Sequence, residues 1–151
     1  MSNIEIVSGQ NHIDEVIKLF QEYKDELKVD ISFQPTDETA EEIVKIYDKI
    51  YIALNNDEAA GCIAFHKMSN DRNCEFKRLY VRKKFRGFHI GKLLLQHAID
   101  KAKKLNYNAI YLDTLSTLEA ACRMYESFGF KKIEAYYHNP LPDVCYYKLD
   151  L

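Results

Sequence analysis

Leu79-Tyr80-Val81-Arg82-Lys83-Lys84-Phe85-Arg86-Gly87-Phe88-His89-Ile90-Gly91-Lys92-Leu93-Leu94 is the stretch on which the reading of this 151-residue chain turns. It opens as the end of a strand, because Cys74–Val81 is rich in apolar and aromatic residues and follows turn residues at Ser69-Asn70-Asp71. It passes into a basic loop that carries two glycines. It closes as the start of a helix, with Leu94, Leu95, Ala98, Ile99, Ala102 and Leu105 on one stripe. Lys101, Lys103 and Lys104 complement the dipole at the end of that helix, and Asn106 is its stop. A helix N-terminus presents backbone N–H groups without intrahelical partners and the positive end of a dipole, which together suit a phosphate. Two familiar phosphate motifs are disfavoured. Only three residues separate Gly87 from Gly91 where a P-loop needs four, and Leu93 stands where that loop has its Mg²⁺-binding Ser or Thr. No Gly-x-Gly-x-x-Gly follows a strand, which disfavours a dinucleotide fold.

Upstream, Ile4–Val7 reads as a short strand, and Asp14 to about Leu27 as a helix with Val16, Ile17, Leu19, Phe20, Tyr23 and Leu27 at helical spacing. Residues 30–36 read as a loop, and a second helix is expected from about Thr39. Tyr51–Leu54, a turn at Asn55-Asn56-Asp57, and Ala59–His66 lead into the strand Cys74–Val81 as an antiparallel meander. Downstream, Ala109–Leu112 reads as a strand. Ser116-Thr117-Leu118-Glu119 has the form of a capping box, which predicts a helix starting near Thr117 and ending at Gly129. Phe130–Ile133 and Val144–Leu149 read as a closing pair of strands. The expected architecture is an α/β sheet domain without repeats or linkers, covering residues 1–151 as a single domain.

The composition, 47% apolar and 29% charged, is that of a globular chain able to fold without disulfide or metal. The formal charge of −2 argues against a nucleic-acid partner. The charge is unevenly spread, however. Lys77–Lys104 holds ten basic residues against Asp100 alone, whereas Phe20–Glu42 holds eight acids against Lys24 and Lys28. A basic loop inside an acidic chain points to a compact polyanionic ligand. The longest run free of Asp, Glu, Lys and Arg is eight residues, too short for a membrane span, and no secretory signal is visible; the expected location is cytoplasmic. Cys62, Cys74, Cys122 and Cys145 form no CxxC pair, so buried apolar thiols are expected rather than a metal or redox site.

Leu79-Tyr80-Val81-Arg82, Arg86-Gly87-Phe88-His89-Ile90-Gly91-Lys92-Leu93-Leu94 and Met124-Tyr125-Glu126-Ser127-Phe128-Gly129-Phe130 together resemble the GNAT superfamily of N-acetyltransferases. The tail Ala135–Pro140 is similar to a bacterial branch whose acceptors are mostly unassigned. The resemblance implies a mixed, mostly antiparallel central sheet flanked by helices, with strands splayed at the coenzyme A site. It implies that Arg86, Gly87, Phe88, His89, Ile90, Gly91 and Lys92 wrap the pyrophosphate of acetyl-CoA. It implies further that the pantetheine arm bonds to the backbone of the strand carrying Leu79, Tyr80 and Val81, where a backbone N–H polarises the thioester carbonyl. His89 stands where the family usually has a glycine, with its imidazole outward or donating to a phosphate. Leu118 stands where the family has an asparagine that helps hold coenzyme A.

The chemistry needs a neutral amine, attack on the thioester and a proton for the departing thiolate. By resemblance, Tyr125 is the proton donor. Glu75, eleven residues before Arg86, is the candidate general base; the alternative is an outward-facing acid paired with Lys77. His66 and Tyr137 are weaker candidates. The expected activity is transfer of an acetyl group from acetyl-CoA to a primary amine in a ternary complex, without metal, nucleic acid or membrane. The acidic first helices suggest a cationic acceptor: a small amine, an amino-acid derivative or a lysine. Two matters stay open: a non-catalytic acyl-CoA-binding module as the alternative, and a homodimer.

Overall fold

A computed structural model describes residues 3–70 and 72–151. Among the described residues, seven strands, β1 (Ile4–Ser8), β2 (Lys49–Asn55), β3 (Glu58–Lys67), β4 (Asn73–Val81), β5 (Ala109–Leu115), β6 (Lys131–Ile133) and β7 (Val144–Asp150), follow the order β1-β2-β3-β4-β5-β7-β6. The chain divides into two compact units, Met1–His66 with Phe76–Lys101, and Lys67–Glu75 with Ala102–Leu151.

The first unit is built around strand β1 (Ile4–Ser8), helix α1 (Ile13–Leu27), helix α2 (Ala40–Ile46), and the strands β2 (Lys49–Asn55) and β3 (Glu58–Lys67). Strand β4 (Asn73–Val81) and helix α3 (Ile90–Lys104) complete it, each entering the second unit at one end. β1 pairs antiparallel with β2, and β2 with β3. The β2–β3 turn is Asn56-Asp57, both left-handed at φ 50° and 69°, the two-residue geometry whose twist matches a hairpin. α1 buries Val16, Leu19 and Phe20, spaced i, i+3, i+4, against Ile43, Tyr47, Ile50 and Ile52. Each such side chain contributes about 1.5–3 kcal/mol when fully buried. α1 stops at Lys28, which turns left-handed at φ 56°. α2 starts in a complete capping box: the Thr39 hydroxyl accepts from the Glu42 N–H, and the Glu42 carboxylate accepts from the Thr39 N–H.

The second unit holds β5 (Ala109–Leu115), α4 (Glu119–Ser127), β6 (Lys131–Ile133) and β7 (Val144–Asp150). β7 pairs antiparallel with both β5 and β6. Asn73–Glu75 pairs in parallel with Ala109–Tyr111, and this pairing ends at Glu75–Tyr111. Two expectations are corrected. β5 runs three residues beyond Leu112 because its edge continues to pair with β7 as far as Leu115–Val144. The capping box at Ser116–Glu119 does not form. The Ser116 N–H donates to the Asp143 carbonyl and the Leu118 N–H to the Leu115 carbonyl, so the chain is still in a turn there and α4 begins at Glu119 with no side-chain cap. At the other end, Gly129 is left-handed at φ 97°, as expected of a helix stop.

Candidate active site

Strand β4 is distorted at one residue. Arg78 has φ 61°, a left-handed conformation inside a strand and rare for a residue with a long side chain. Such a residue breaks the pleat in the manner of a bulge. β3 is shaped to fit. It carries its own irregularity at Ala60, between the pairs Ala53–Gly61 and Leu54–Ala59. The Ala60 carbonyl accepts from the Arg82 N–H at 2.8 Å, and the Cys62 thiol donates to the Arg78 carbonyl at 3.3 Å. Between them lies Gly61, where a Cβ would sit 2.5 Å from the Tyr80 carbonyl oxygen. Only glycine lets the two backbones approach this closely. Cys62 is fully buried, and burial pushes its thiol well above the ordinary range, so it acts structurally, as expected.

Beyond β4, the loop has the conformation that its glycines suggest. Gly87 is left-handed at φ 91°, and so is His89 at φ 62°. The imidazole therefore does not prevent the turn normally given to glycine; histidine is among the residues that tolerate it. His89 is exposed, the outward placement anticipated for it, and Phe88 is 52% exposed. Ile90 is buried, and α3 starts there. The Leu93 N–H is the first to bond back, to the His89 carbonyl. The N–H groups of Ile90, Gly91 and Lys92 thus precede the first intrahelical bond.

The arginines beside this loop are engaged elsewhere. Arg82 makes three hydrogen bonds to the Glu22 carboxylate, at 2.8–3.2 Å, and one to the Ala59 carbonyl. Arg86 donates to the Val81 carbonyl at 2.9 Å and reaches Glu26 at 2.6 Å. Tyr80 also donates to Glu26, and burial followed by that contact pushes its phenol up to about 12. Burial raises the Glu26 carboxyl, but Arg86 and Tyr80 more than offset this and hold it below its ordinary value. The two stretches of opposite charge meet in part: Glu22, Glu26 and Asp37 of the acidic stretch pair with Arg82, Arg86 and Arg78 of the basic one.

In the second unit, Glu75 is 8% exposed and accepts from the Tyr136 hydroxyl at 2.5 Å. It is a buried acid. Burial and the neighbouring Glu75 charge push the Tyr136 phenol far up, so it stays a proton donor. The Tyr137 hydroxyl donates to Asp113, as does the Asn139 side chain at 2.8 Å. The rings of Tyr136, Tyr137 and Tyr146 pack edge to face or tilted at 5.4–5.9 Å, and Tyr111 meets Tyr136 at 5.1 Å. Tyr125, on α4, is 8% exposed beside Phe130 and Tyr147. Sequence reasoning missed Asp37, Gly61 and the roles of Arg78 and Tyr136. A glycine in the middle of the apolar run Ala59–His66 was the one readable signal, since an interior strand glycine marks a close backbone approach. Among the described residues, no group of three or more His, Cys, Asp or Glu could hold a metal ion, and no helix is long and apolar enough to cross a membrane.

A profile of the Acetyltransferase (GNAT) family matches residues 14–130, which takes in the kinked strand, the loop and α4. The chain belongs to the GNAT family of acetyltransferases. An uncharacterized N-acetyltransferase of Schizosaccharomyces pombe is 41% identical over 99% of this chain and 96% of its own length. The likeness is therefore not confined to bacterial proteins. The crystal structure of a GNAT acetyltransferase from Staphylococcus aureus Mu50 is 26% identical, with a TM-score of 0.75 over 98% of this chain and 99% of that one. A Bacillus anthracis acetyltransferase, solved in complex with acetyl coenzyme A, is 31% identical over 70% of this chain and 63% of its own, with a TM-score of 0.61. The mixed, mostly antiparallel seven-stranded sheet flanked by helices is the arrangement expected of this family.

Proposed function

We propose that residues 1–151 form a single N-acetyltransferase domain that moves an acetyl group from acetyl-CoA to a primary amine by direct attack in a ternary complex. The observation that carries this is the run from the kinked β4 through left-handed Gly87 and His89 into α3, which leaves the first amides of that helix for an anion. Gly87, Phe88, His89, Ile90, Gly91 and Lys92 receive the pyrophosphate, chiefly through backbone N–H groups. Arg86 braces the loop between Val81 and Glu26. The backbone of Leu79, Tyr80 and Val81 receives the pantetheine arm, and a backbone N–H in this segment polarises the thioester carbonyl.

The amine nitrogen bonds to the thioester carbon as the carbon–sulfur bond breaks. Before the attack the Glu75 carboxylate, held by Tyr136, takes one proton from the cationic amine and leaves its lone pair free; the nitrogen sheds a second proton to solvent as the amide forms, and the Tyr125 hydroxyl supplies one to the departing thiolate and regains it from solvent. The acceptor is a small cationic amine, an amino-acid derivative or a lysine side chain, and the reaction takes place in the cytoplasm without metal or nucleic acid. A non-catalytic acyl-CoA-binding module is the alternative: Leu118 at the position of the family's asparagine favours it, while His89, left-handed like the glycine it replaces, does not. Enzyme, acetyl-CoA and a panel of amines are mixed with a thiol reagent. Release of coenzyme A above background with at least one amine is expected. Tight acetyl-CoA binding with no release across a broad panel would favour the binding module.

A further inference from the structure

The most deeply buried charges in the first unit converge on the strained residue of β4. Asp37, in the segment joining α1 to α2, is 1% exposed, and Arg78 is 4% exposed. Asp37 Oδ2 accepts from Arg78 Nε at 2.9 Å and from the Tyr47 hydroxyl at 2.8 Å, and Oδ1 lies 2.5 Å from Lys24 Nζ. The Arg78 guanidinium stands 5.4 Å from the centroid of the Tyr23 ring, and the Arg78 carbonyl accepts from Cys62. Three segments thus hold Arg78 directly, α1 through Tyr23, the α1–α2 connection through Asp37 and β3 through Cys62, while Lys24 and Tyr47, from α1 and the end of α2, fix Asp37.

A buried ion pair is a poor device for stability, because the desolvation of its charges consumes most of their attraction; its better-attested use is to select one conformation. Here the conformation selected is identifiable. Arg78 occupies the left-handed region, which arginine avoids, and a residue kept there persists only when its surroundings over-determine it. Released, it would return to φ below zero, and the pleat after it would slip by one residue. A one-residue slip exchanges the faces of every following side chain and N–H. The residues that follow are Leu79, Tyr80 and Val81.

We propose that Asp37 is a positioning residue for acetyl-CoA: by clamping the Arg78 side chain it keeps β4 kinked, and so sets the backbone of Leu79–Val81 in the register that the cofactor meets. This rests on the reading that this backbone receives the pantetheine arm. Asp37 touches neither cofactor nor acceptor in this scheme.

The test compares two double variants, Asp37→Ala with Arg78→Gly and Asp37→Ala with Arg78→Ala. Both delete the same clamp and leave no unpaired partner between the two positions. They differ by one Cβ at a backbone position where glycine is at ease and alanine is not. Acetyl-CoA affinity is measured by calorimetry, and the amides of Leu79 and Val81 are followed by NMR during the titration. The glycine double is expected to bind within about threefold of wild type and the alanine double about tenfold more weakly. A merely structural role for the clamp would weaken both alike, and equal affinities overturn the inference. Wild-type protein that binds acetyl-CoA without moving the Leu79 and Val81 amides overturns the underlying reading, and the inference with it. Tyr47→Phe, which keeps the ring and removes only the hydrogen bond to Asp37, serves if the doubles do not fold. It is expected to weaken acetyl-CoA about threefold and to speed amide exchange at Leu79 and Val81. Unchanged exchange and affinity would overturn the inference.

Discussion

Gly61→Ala adds a single methyl group at the point where β3 and β4 come closest. The new Cβ would lie 2.5 Å from the Tyr80 carbonyl oxygen, 3.2 Å from Val81 Cα and 3.3 Å from Leu94 Cδ1. Ordinary contact begins near 3.4 Å, so the Tyr80 carbonyl has to withdraw by about 0.9 Å. The obstacle is backbone, which cannot swing aside as a side chain would. Overpacking of this kind costs about 1–3 kcal/mol. For a chain of this length, about 2 kcal/mol lowers Tm by roughly 4–8 °C and leaves the protein folded. The displaced residue belongs to the segment proposed to receive pantetheine, so acetyl-CoA affinity should fall about tenfold as well. Gly87→Ala is the control. Nothing lies within 4 Å of its added Cβ, but φ is +91°, so it meets only backbone strain of about 1–2 kcal/mol. Thermal melts and acetyl-CoA titrations on both variants separate crowding from conformation. Gly61→Ala with wild-type Tm and wild-type affinity would refute the close approach of β3 to β4 and the reasoning built on it.

Tyr125→Phe should lower turnover roughly 100-fold while changing acetyl-CoA affinity little; steady-state kinetics beside a binding titration checks this, and a loss of affinity alone contradicts the proton-donor role. His89→Gly relieves a left-handed residue at the cost of a more flexible unfolded chain, so Tm should rise by about 1–3 °C, and a fall on melting would show that the imidazole makes a stabilising contact. Burial pushes the Asp37 carboxyl up, but Arg78, Lys24 and Tyr47 outweigh it and hold its folded pKa below the unfolded value of 3.8. The unfolded chain therefore takes up the proton first, and the contribution of Asp37, fully present above that value, is lost as pH falls through the folded pKa. Denaturation curves from pH 6 to pH 2 should accordingly show a smaller acid-side loss in Asp37→Asn than in wild type.

The elements written in local chemistry were legible. The Asn56-Asp57 turn, the stripe of α3 and the Gly129 stop follow from conformational preferences that each residue carries with it. Ser116–Glu119 has the same local signature as Thr39–Glu42, yet only the latter forms a capping box. The difference lies 27 residues away, where the Asp143 carbonyl takes the Ser116 N–H and holds the chain in a turn. A pattern four residues long cannot register that competitor. Glu75 shows the same limit. Its burial and its bond from the Tyr136 hydroxyl, 61 residues away, leave no mark on the residues beside it. The glycine-bearing turn between β4 and α3 was legible because its signals are contiguous. Asp37 was not, because its partner stands 41 residues away and nothing near it distinguishes it from the seven other acids of its segment.

The uneven charge has a different meaning once those distant partners are known. Read as two territories, the basic stretch answers to phosphate and the acidic stretch to an amine. In the folded chain Arg78, Arg82 and Arg86 are held by Asp37, Glu22 and Glu26, so three charges of each territory meet in ion pairs. Arg82 has Nε, Nη1 and Nη2 all engaged and has little left to offer an anion. In the function proposed above, attraction for a pyrophosphate would come from exposed Lys83 and Lys92 and above all from the N–H groups at the start of α3. Such groups are positioned by φ angles, not by charge. On that proposal, the left-handed Gly87 and His89 set the loop's shape, and Arg82 and Arg86 brace it rather than supply charge to the ligand.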